Sequence, residues 1–154
     1  MSPVRADTRR FEEIAVGDRL PELVLPLDRT LIVATAIASR DYQDVHHDPD
    51  LAVERGSPDI FMNILTTNGF VGRFVTDWAG PGARIESVSI RLGAPNHPGD
   101  TMTMSGTVVA VEVPPGRDDG RGVVEVAVRG ANRRGDHVTG TVRLSVPRDG
   151  AGAA

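Results

Sequence analysis

The sequence predicts an α+β domain in which one curved antiparallel sheet wraps around a long helix. Apolar residues recur at helical spacing from Asp59 to Trp78, as expected of a helix that is buried on most sides. After the break at Ala79-Gly-Pro-Gly82, four runs alternate apolar and polar residues with a period of two, which is typical of strands. Wrapping such a sheet around the helix is the economical way to bury both.

The strand-like runs are separated by segments rich in turn-forming residues, which predicts an antiparallel meander. An earlier alternation, Leu20–Leu27, is interrupted by Pro21 and Pro26. Proline cannot donate to a strand ladder, so this segment is predicted to be an edge strand. The four later runs are Ala83–Leu92, Thr101–Val113, Gly122–Asn132 and His137–Val146.

Two shorter helices are predicted before the long one. Leu31–Arg40 is rich in alanine, with Thr30 as the candidate N-cap, and a helical turn is expected at Asp50–Glu54. Inside the long helix, Gly69 and Gly72 each weaken the helix by about 1 kcal/mol relative to alanine. We therefore expect close packing, a kink or an early end there.

The 154 residues suit a single domain. We expect it to span residues 11–147, between a flexible N-terminal arm (1–10) and a disordered tail (148–154). The longest apolar run, Leu31–Ala38, is too short to cross a membrane, and the N-terminus has no apolar core of a signal peptide. With no cysteine in the chain, a cytoplasmic location is expected.

All 17 basic residues are arginine, so lysine Schiff-base chemistry is excluded. The net charge of −4 argues against a nucleic-acid partner. Arginine is the only cation available for phosphates. The candidates are Arg84, Arg91, Arg133 and Arg134, with a solvated sheet face as the alternative for each.

A polar cluster at Arg40–Asp50 contains two of the four histidines beside four carboxylates. Asp41 and His46 could hold a water between them and exchange protons with it, a contribution of roughly 10²–10⁴-fold in rate. From their spacing alone, a hydrogen-bonded loop pair is the commoner explanation. His47 and Asp48 are interpreted as structural, with Asp48-Pro49 as a turn or cap. No metal site is predicted, because adjacent histidines point apart on most backbones.

Asp41-Tyr-Gln-Asp-Val-His46-His-Asp-Pro49 resembles the hydratase motif of the MaoC-like (R)-specific enoyl-CoA hydratases. That motif runs Asp, any, Asn, Pro, apolar, His, any, Asp, Pro. The resemblance implies a hotdog fold, in which Asp41 and His46 activate the water that is added to a trans-2-enoyl-CoA. Gln43 stands where asparagine is usual. No cofactor is implied, since coenzyme A is part of the substrate.

A longer string, from Arg40 through Asp59-Ile-Phe-Met-Asn-Ile-Leu65 to Val75-Thr-Asp-Trp-Ala-Gly-Pro81, is similar to the small MaoC-like subunits of actinobacterial steroid enoyl-CoA hydratases. This similarity implies a larger partner subunit with a MaoC-like domain, an α₂β₂ heterotetramer, and a 3-oxo-steroid substrate with an unsaturated acyl-CoA side chain. Gly69 and Gly72 could open an apolar slot for the steroid rings.

The sequence departs from the general family at Pro58–Met62, where a Pro-x-x-His-Gly stretch is usual and its glycine helps to supply an N–H to the thioester oxygen. Here the backbone N–H of Met62 is the candidate donor, with Gln43 and Asn63 as further substrate-binding candidates. Asp41 follows a predicted helix C-terminus, whose dipole is expected to raise its pKa. His97 and His137 fall in turns with no partner pattern.

Two other functions fit the residues. A hotdog acyl-CoA thioesterase would use a carboxylate near the thioester carbonyl. A non-catalytic subunit would only stabilise another hotdog chain, and it would need neither Asp41 nor His46.

Overall fold

The computed structural model describes residues 7–149 and contains one five-stranded antiparallel sheet packed against a long helix. The strand order is β1-β3-β4-β5-β2. The α+β prediction is confirmed. The strands are β1 (Arg19–Pro26), β2 (Arg84–Leu92), β3 (Thr101–Glu112), β4 (Arg121–Asn132) and β5 (Gly135–Pro147), and the helices are α1 (Arg29–Ala38), α2 (Pro49–Glu54) and α3 (Ile64–Ala79).

The core lies between α3 and the inner face of the sheet. Val71, Phe74 and Val75 on one side of α3 are almost fully buried, against residues that alternate along β3, β4 and β5. The sheet approaches the helix closely at Gly106, where an added Cβ would lie 2.9 Å from Cε1 of Phe74. No helix within residues 7–149 has the length and apolar character needed to cross a membrane.

The long helix begins at Ile64, later than the predicted start at Asp59. The segment before it is extended because its backbone bonds to neighbours on two sides. The N–H of Phe61 donates to the Val45 carbonyl at 3.1 Å, and the N–H of Met62 donates to the Asn96 carbonyl at 3.0 Å. The apolar residues of this segment therefore recur at helical spacing because the loop is buried, and the segment itself is not helical.

The N-cap of α1 is Asp28, and the prediction of Thr30 is wrong. The Asp28 carboxylate accepts a hydrogen bond from the Leu31 N–H at 2.6 Å, and Thr30 lies inside the helix. In α3, the helix continues through Gly69 and Gly72 to Ala79, so neither glycine ends it. A Cβ at Gly69 would meet nothing within 4 Å, so close packing does not explain this glycine.

The described part of the N-terminal arm is attached to the end of α3. The Arg9 N–H donates to the Ala79 carbonyl at 2.8 Å, and the Thr8 hydroxyl accepts from the Gly82 N–H at 2.7 Å. The Arg9 guanidinium lies 5.1 Å from the Trp78 ring centroid. These contacts differ from the flexible arm expected for residues 1–10. Residues 1–6, and residues 150–154 of the expected tail, lie outside the described range.

The two edges of the sheet differ in character. β1 is an edge strand, as predicted, and its pairing with β3 shifts register between Leu20 and Leu23, around Pro21. β2 forms the other edge, and its Ile85, Val88 and Leu92 remain 40%, 36% and 36% exposed. Their partners on β5, including Val142 and Leu144, are fully buried. The buried apolar face of β5 therefore extends onto β2, where the described part of this chain leaves it exposed to solvent.

Candidate active site

Asp41 is placed by the way α1 ends. After the C-cap at Ser39, Arg40 adopts a left-handed conformation with φ of 59°, and the Asp41 N–H then donates to the Ala36 carbonyl at 2.9 Å. This is the 6→1 bond of a Schellman motif, with arginine in the position that glycine usually takes. The chain turns sharply there, so the Asp41 carboxylate faces the start of α3.

The Asp41 carboxylate is held by two donors. Oδ2 accepts from Nδ2 of Asn63 at 3.0 Å, and Oδ1 accepts from the Gln43 backbone N–H at 3.3 Å. The hydrogen bond from Asn63 is the main cause that lowers the pKa of Asp41 below its usual value, and it outweighs burial, which acts in the opposite direction. The expectation that the helix dipole raises this pKa is therefore wrong.

His46 lies at the end of a short 3₁₀ turn, Asp44–His46, and is buried. Its Nδ1 lies 2.7 Å from the Phe61 carbonyl oxygen, and the Phe61 ring packs edge-on against the imidazole at a centroid distance of 4.9 Å. Because a carbonyl can only accept, Nδ1 must carry the hydrogen. The neutral ring then presents a lone pair at Nε2.

The structure brings Asp41 and His46 together: Nε2 of His46 lies 3.4 Å from Oδ2 of Asp41. The carboxylate and the neutral Nε2 are both acceptors, so they cannot bond directly to each other. One water that donates a hydrogen to each would satisfy both and leave its own lone pairs free to attack. The pair can therefore orient and deprotonate a water.

The pair opens into a cavity of about 300 Å³ formed by the loop after α1, the start of α3 and the end of β2. A volume of this size lies at the lower end of the range for small-ligand pockets. Its lining residues are Asp41, Gln43, His46, Phe61, Met62, Asn63, Ile64, Leu92, Gly93, Pro95 and His137.

Met62, Gln43 and Asn63, which are predicted to bind the substrate or its oxyanion, all line this cavity. The Met62 N–H is already bonded to Asn96, so it is not available to a thioester oxygen. Gln43 is exposed and supports Asp41 through its backbone. Asn63 caps α3, with Oδ1 accepting from the Thr66 N–H at 3.0 Å. Since an N–H can only donate, Nδ2 of Asn63 must be the atom that faces Asp41.

His137 is a site residue that sequence reasoning missed. Its Nδ1 lies 2.8 Å from the Ala94 carbonyl, so Nδ1 carries the hydrogen, and Nε2 accepts from the Thr67 hydroxyl at 2.8 Å. Burial lowers the pKa of His137 and favours this neutral form. The imidazole ties α3 to the loop after β2. Its partners are a backbone carbonyl and a hydroxyl far along the chain, so no local pattern signals it.

The remaining polar residues of the cluster are structural. Asp48 is the N-cap of α2 and accepts from the backbone N–H groups of Asp50 and Leu51, which confirms the predicted cap. His47 is exposed, and Asp44 pairs with Arg55 at 2.6 Å.

A second, apolar groove of about 360 Å³ runs between α1 and α3. It begins at Ser39, whose hydroxyl accepts from Nδ2 of Asn63 at 3.0 Å, and therefore lies next to the Asp41–His46 pair. Gly69 lines it, and the missing side chain there helps to keep it open. The lining residues are Thr35, Ala38, Ser39, Leu65, Thr66, Gly69, Phe70 and Arg73.

Known proteins are similar in sequence to most of this chain and share its fold. A scan against protein-family models finds no match. The chain is 56% identical, over 131 residues, to the 3-oxo-4,17-pregnadiene-20-carboxyl-CoA hydratase beta subunit of Mycobacterium tuberculosis, covering 85% of this chain and 95% of that protein. A crystal structure of the ChsH1–ChsH2 complex from the same organism matches with a TM-score of 0.78 at 56% identity, over 86% of this chain and 98% of that one.

More distant structures share the fold. The R-hydratase PhaJ1 from Pseudomonas aeruginosa matches with a TM-score of 0.77 at 20% identity, over 91% of this chain and 86% of that one. The MaoC-like dehydratase from Rhodospirillum rubrum matches with a TM-score of 0.75 at 26% identity, over 89% and 95%. The predicted hotdog fold is confirmed, and the chain belongs to the MaoC-like hydratase family.

Proposed function

We propose that this chain is the catalytic subunit of an enoyl-CoA hydratase that adds water across the α,β double bond of a 3-oxo-steroid side-chain acyl-CoA. The observation that carries the proposal is the Asp41–His46 pair, in which a buried imidazole and a half-buried carboxylate lie 3.4 Å apart and face one space. The relative that is 56% identical, a 3-oxo-4,17-pregnadiene-20-carboxyl-CoA hydratase subunit, supports the steroid as substrate class.

His46 is the proposed base. With Nδ1–H fixed on the Phe61 carbonyl, Nε2 takes one proton of the water as its oxygen bonds to Cβ. The Asp41 carboxylate accepts a hydrogen bond from the second hydrogen, which stays on the oxygen, and it stabilises the imidazolium that forms. The imidazolium can then return the proton to Cα, so one water is added across the double bond and both side chains regain their starting states. No resident cofactor is needed, because coenzyme A is part of the substrate.

The negative charge that develops on the thioester oxygen needs a donor. The backbone N–H groups of Asn63 and Ile64 stand at the start of α3, where no intrahelical acceptor exists for them, and both residues line the cavity. The positive end of the α3 dipole favours an anion at this point. We assign the oxyanion to these two groups in place of the Met62 N–H.

The apolar groove beside Ser39 suits the rigid apolar part of a steroidal substrate. It starts next to Asn63 and Asp41 and extends along α3 past Gly69, so a substrate with its double bond at the pair could place apolar rings there. Gly69→Leu would place a side chain in this groove, whose lining does not include Asp41 or His46.

A partner subunit would cover the β2 edge. Ile85, Val88 and Leu92 continue the buried apolar layer of β5 but remain exposed, and Leu92 also lines the catalytic cavity. We propose that a larger subunit with a MaoC-like domain pairs here, in an α₂β₂ assembly. The solved ChsH1–ChsH2 complex supports a two-subunit enzyme. The cysteine-free sequence suits the reducing cytoplasm, where we place the reaction.

Product analysis separates this function from its rivals. The assembly purified from its source, given a steroid enoyl-CoA, should yield the hydroxyacyl-CoA. A thioesterase would instead release free coenzyme A, also from a saturated acyl-CoA. A stabilising subunit without chemistry of its own would leave the hydration rate of the assembly unchanged when Asp41 and His46 are both replaced.

A further inference from the structure

One end of the sheet, beside the catalytic cavity, carries four arginines that the proposed chemistry does not use. Arg91 stands near the end of β2, next to Leu92 and Gly93, which line the cavity. Because successive strand residues alternate, the side chain of Arg91 leaves this end of the sheet on the face opposite to that of Leu92. Arg129 is on β4, and both it and Arg91 pair with Thr139 of β5, so the two arginines share one face of the sheet. Arg133 and Arg134 form the β4–β5 turn. We call these four residues the arginine rim.

Hydrogen bonds join the rim to the wall of the cavity. Nδ2 of Asn132, the residue before the turn, donates to the Pro95 carbonyl at 2.9 Å, and Pro95 lines the cavity. The Ala94 N–H donates to the carbonyl of Asp136, just after the turn, at 2.8 Å. The turn and the cavity wall therefore form one connected unit.

A buried carboxylate lies against two of the arginines. The side chain of Asp100 is fully buried, lies 2.9 Å from Nε of Arg133, and also pairs with Arg134. Arg133 is nevertheless 71% exposed, so most of its guanidinium faces solvent. Arg129 pairs with Asp136 at 2.6 Å. Arg91 is exposed and forms no ion pair within residues 7–149.

The rim is a local excess of positive charge on an acidic chain. Four arginines stand against two carboxylates, Asp100 and Asp136, in a chain whose net charge is −4. Arg84, by contrast, pairs with Ser145 at the opposite end of β2 and does not belong to this group. Of the four arginines proposed from the sequence as phosphate-binding candidates, three therefore belong to the rim: Arg91, Arg133 and Arg134. Arg129 is the fourth member of the rim.

We propose that the arginine rim binds the phosphates of the coenzyme A moiety, an assignment that rests on the proposed hydratase function. The pantetheine arm separates the thioester from the phosphates, so a thioester at the Asp41–His46 pair places the phosphates outside the cavity, on its border. Arginine's planar fork matches a phosphate with two hydrogen bonds. Asp100 preorganises Arg134 through a hydrogen bond, and Arg133 lies beside the same carboxylate with most of its side chain in solvent.

The test compares two thioesters of the same acyl group, one on coenzyme A and one on pantetheine, which lacks the adenosine phosphates. In the assembly that contains this chain, Arg91→Ala and Arg133→Ala should each raise KM for the coenzyme A thioester about tenfold, and the double variant more. KM for the pantetheine thioester should not change. Neither substitution strands a buried charge, since Asp100 keeps Arg134.

Arg19→Ala on β1 is the matched control: it removes an exposed arginine from the other edge of the sheet and should leave both KM values unchanged. Calorimetric binding of free coenzyme A gives a readout without turnover. If the double variant binds free coenzyme A more weakly than wild type, the rim assignment is supported. This result does not depend on hydration, so it stands even if the assembly shows no hydratase activity and the proposed function is wrong. If the double variant keeps the wild-type KM and coenzyme A affinity, the rim assignment is wrong while the hydratase stands.

Discussion

Asn63 connects three parts of the site through one side chain. Its Oδ1 caps α3, and its Nδ2 donates to both Asp41 and Ser39 at 3.0 Å. The amide is 2% exposed, so these bonds face little competition from water. Asn63 is therefore a positioning residue: it fixes the orientation of the Asp41 carboxylate and favours its ionised form.

Asn63→Ser separates these two roles. Serine is also a good N-cap, so α3 should keep its stability, while Asp41 loses its main donor and the pKa of its carboxyl rises toward the ordinary value. The midpoint of the Asp41 carboxyl titration, followed by carboxyl-carbon NMR, should move to higher pH. Asn68→Ser, at a half-buried position on the same helix, is the control and should leave this titration unchanged. An unchanged Asp41 titration in Asn63→Ser would contradict the positioning role.

The lowered pKa of Asp41 also determines how the stability of the fold depends on pH. Because the folded-state pKa of Asp41 is lowered, its carboxylate stabilises the fold at pH values above the unfolded pKa, and this contribution is lost as the pH falls through the folded pKa. In Asn63→Ser, the folded and unfolded pKa values approach each other, so this contribution should shrink and the free energy of unfolding should depend less on pH in the acid range, as urea denaturation would show.

Sequence reasoning found the residues that are close in the chain and missed those that are not. Asp41 and His46 are five positions apart and stood out as a cluster. Asn63 and His137 act on partners 22 and 70 positions away. Asn63 was singled out for substrate contact, and its bond to Asp41 depends on how α1 and α3 approach each other, which no local pattern encodes.

At the scale of elements, the start of α1 depends on Asp28. Asp28→Ala removes the acceptor of the Leu31 N–H and should lower the free energy of unfolding by about 1 kcal/mol, measured by urea denaturation. Thr30→Ala, two positions away and inside the helix, should cost much less. Equal losses in the two variants would mean that the cap does not stabilise α1.

The two edge strands offer a test of the partner surface. Val88→Lys on β2 places a charge in the exposed apolar layer and should dissociate the assembly without unfolding the chain, as sedimentation velocity would show. Val24→Lys on β1, 51% exposed on the opposite edge, is the control and should assemble normally. If the assembly still forms with Val88→Lys, the partner does not bind at β2.

Periodicity predicted the elements well where one face of an element is buried. The four later strands follow the period-two runs to within a few residues. It failed at the start of α3, because the loop before it is also buried and apolar, with Ile60 and Met62 at 0% and 2% exposure. Burial alone does not distinguish such a loop from a helix. The cap at Asn63 is the local signal that does.

At the scale of the whole molecule, the order of apolar and charged surfaces matches the order of apolar and charged parts in the proposed substrate. The apolar groove begins beside the Asp41–His46 pair, and the turn that carries Arg133 and Arg134 is bonded to the cavity wall at Pro95. An acyl-CoA with a steroidal tail has the same order: apolar rings, reactive thioester, phosphates. The order depends on the fold, since groove, pair and rim come from segments far apart in the sequence. The partner lies on another chain, so the sequence implied it only through family resemblance.

The central claim is that Asp41 and His46 together activate the water. The most direct measurement is the rate at which the assembly converts a steroid enoyl-CoA to its hydroxyacyl-CoA, with wild type, Asp41→Asn and His46→Ala compared at equal folded concentration. Each variant should lose roughly 10²–10⁴-fold in kcat, and the double variant should lose little more than the worse single one, because the two side chains act on one water. Wild-type kcat in either single variant would contradict the claim.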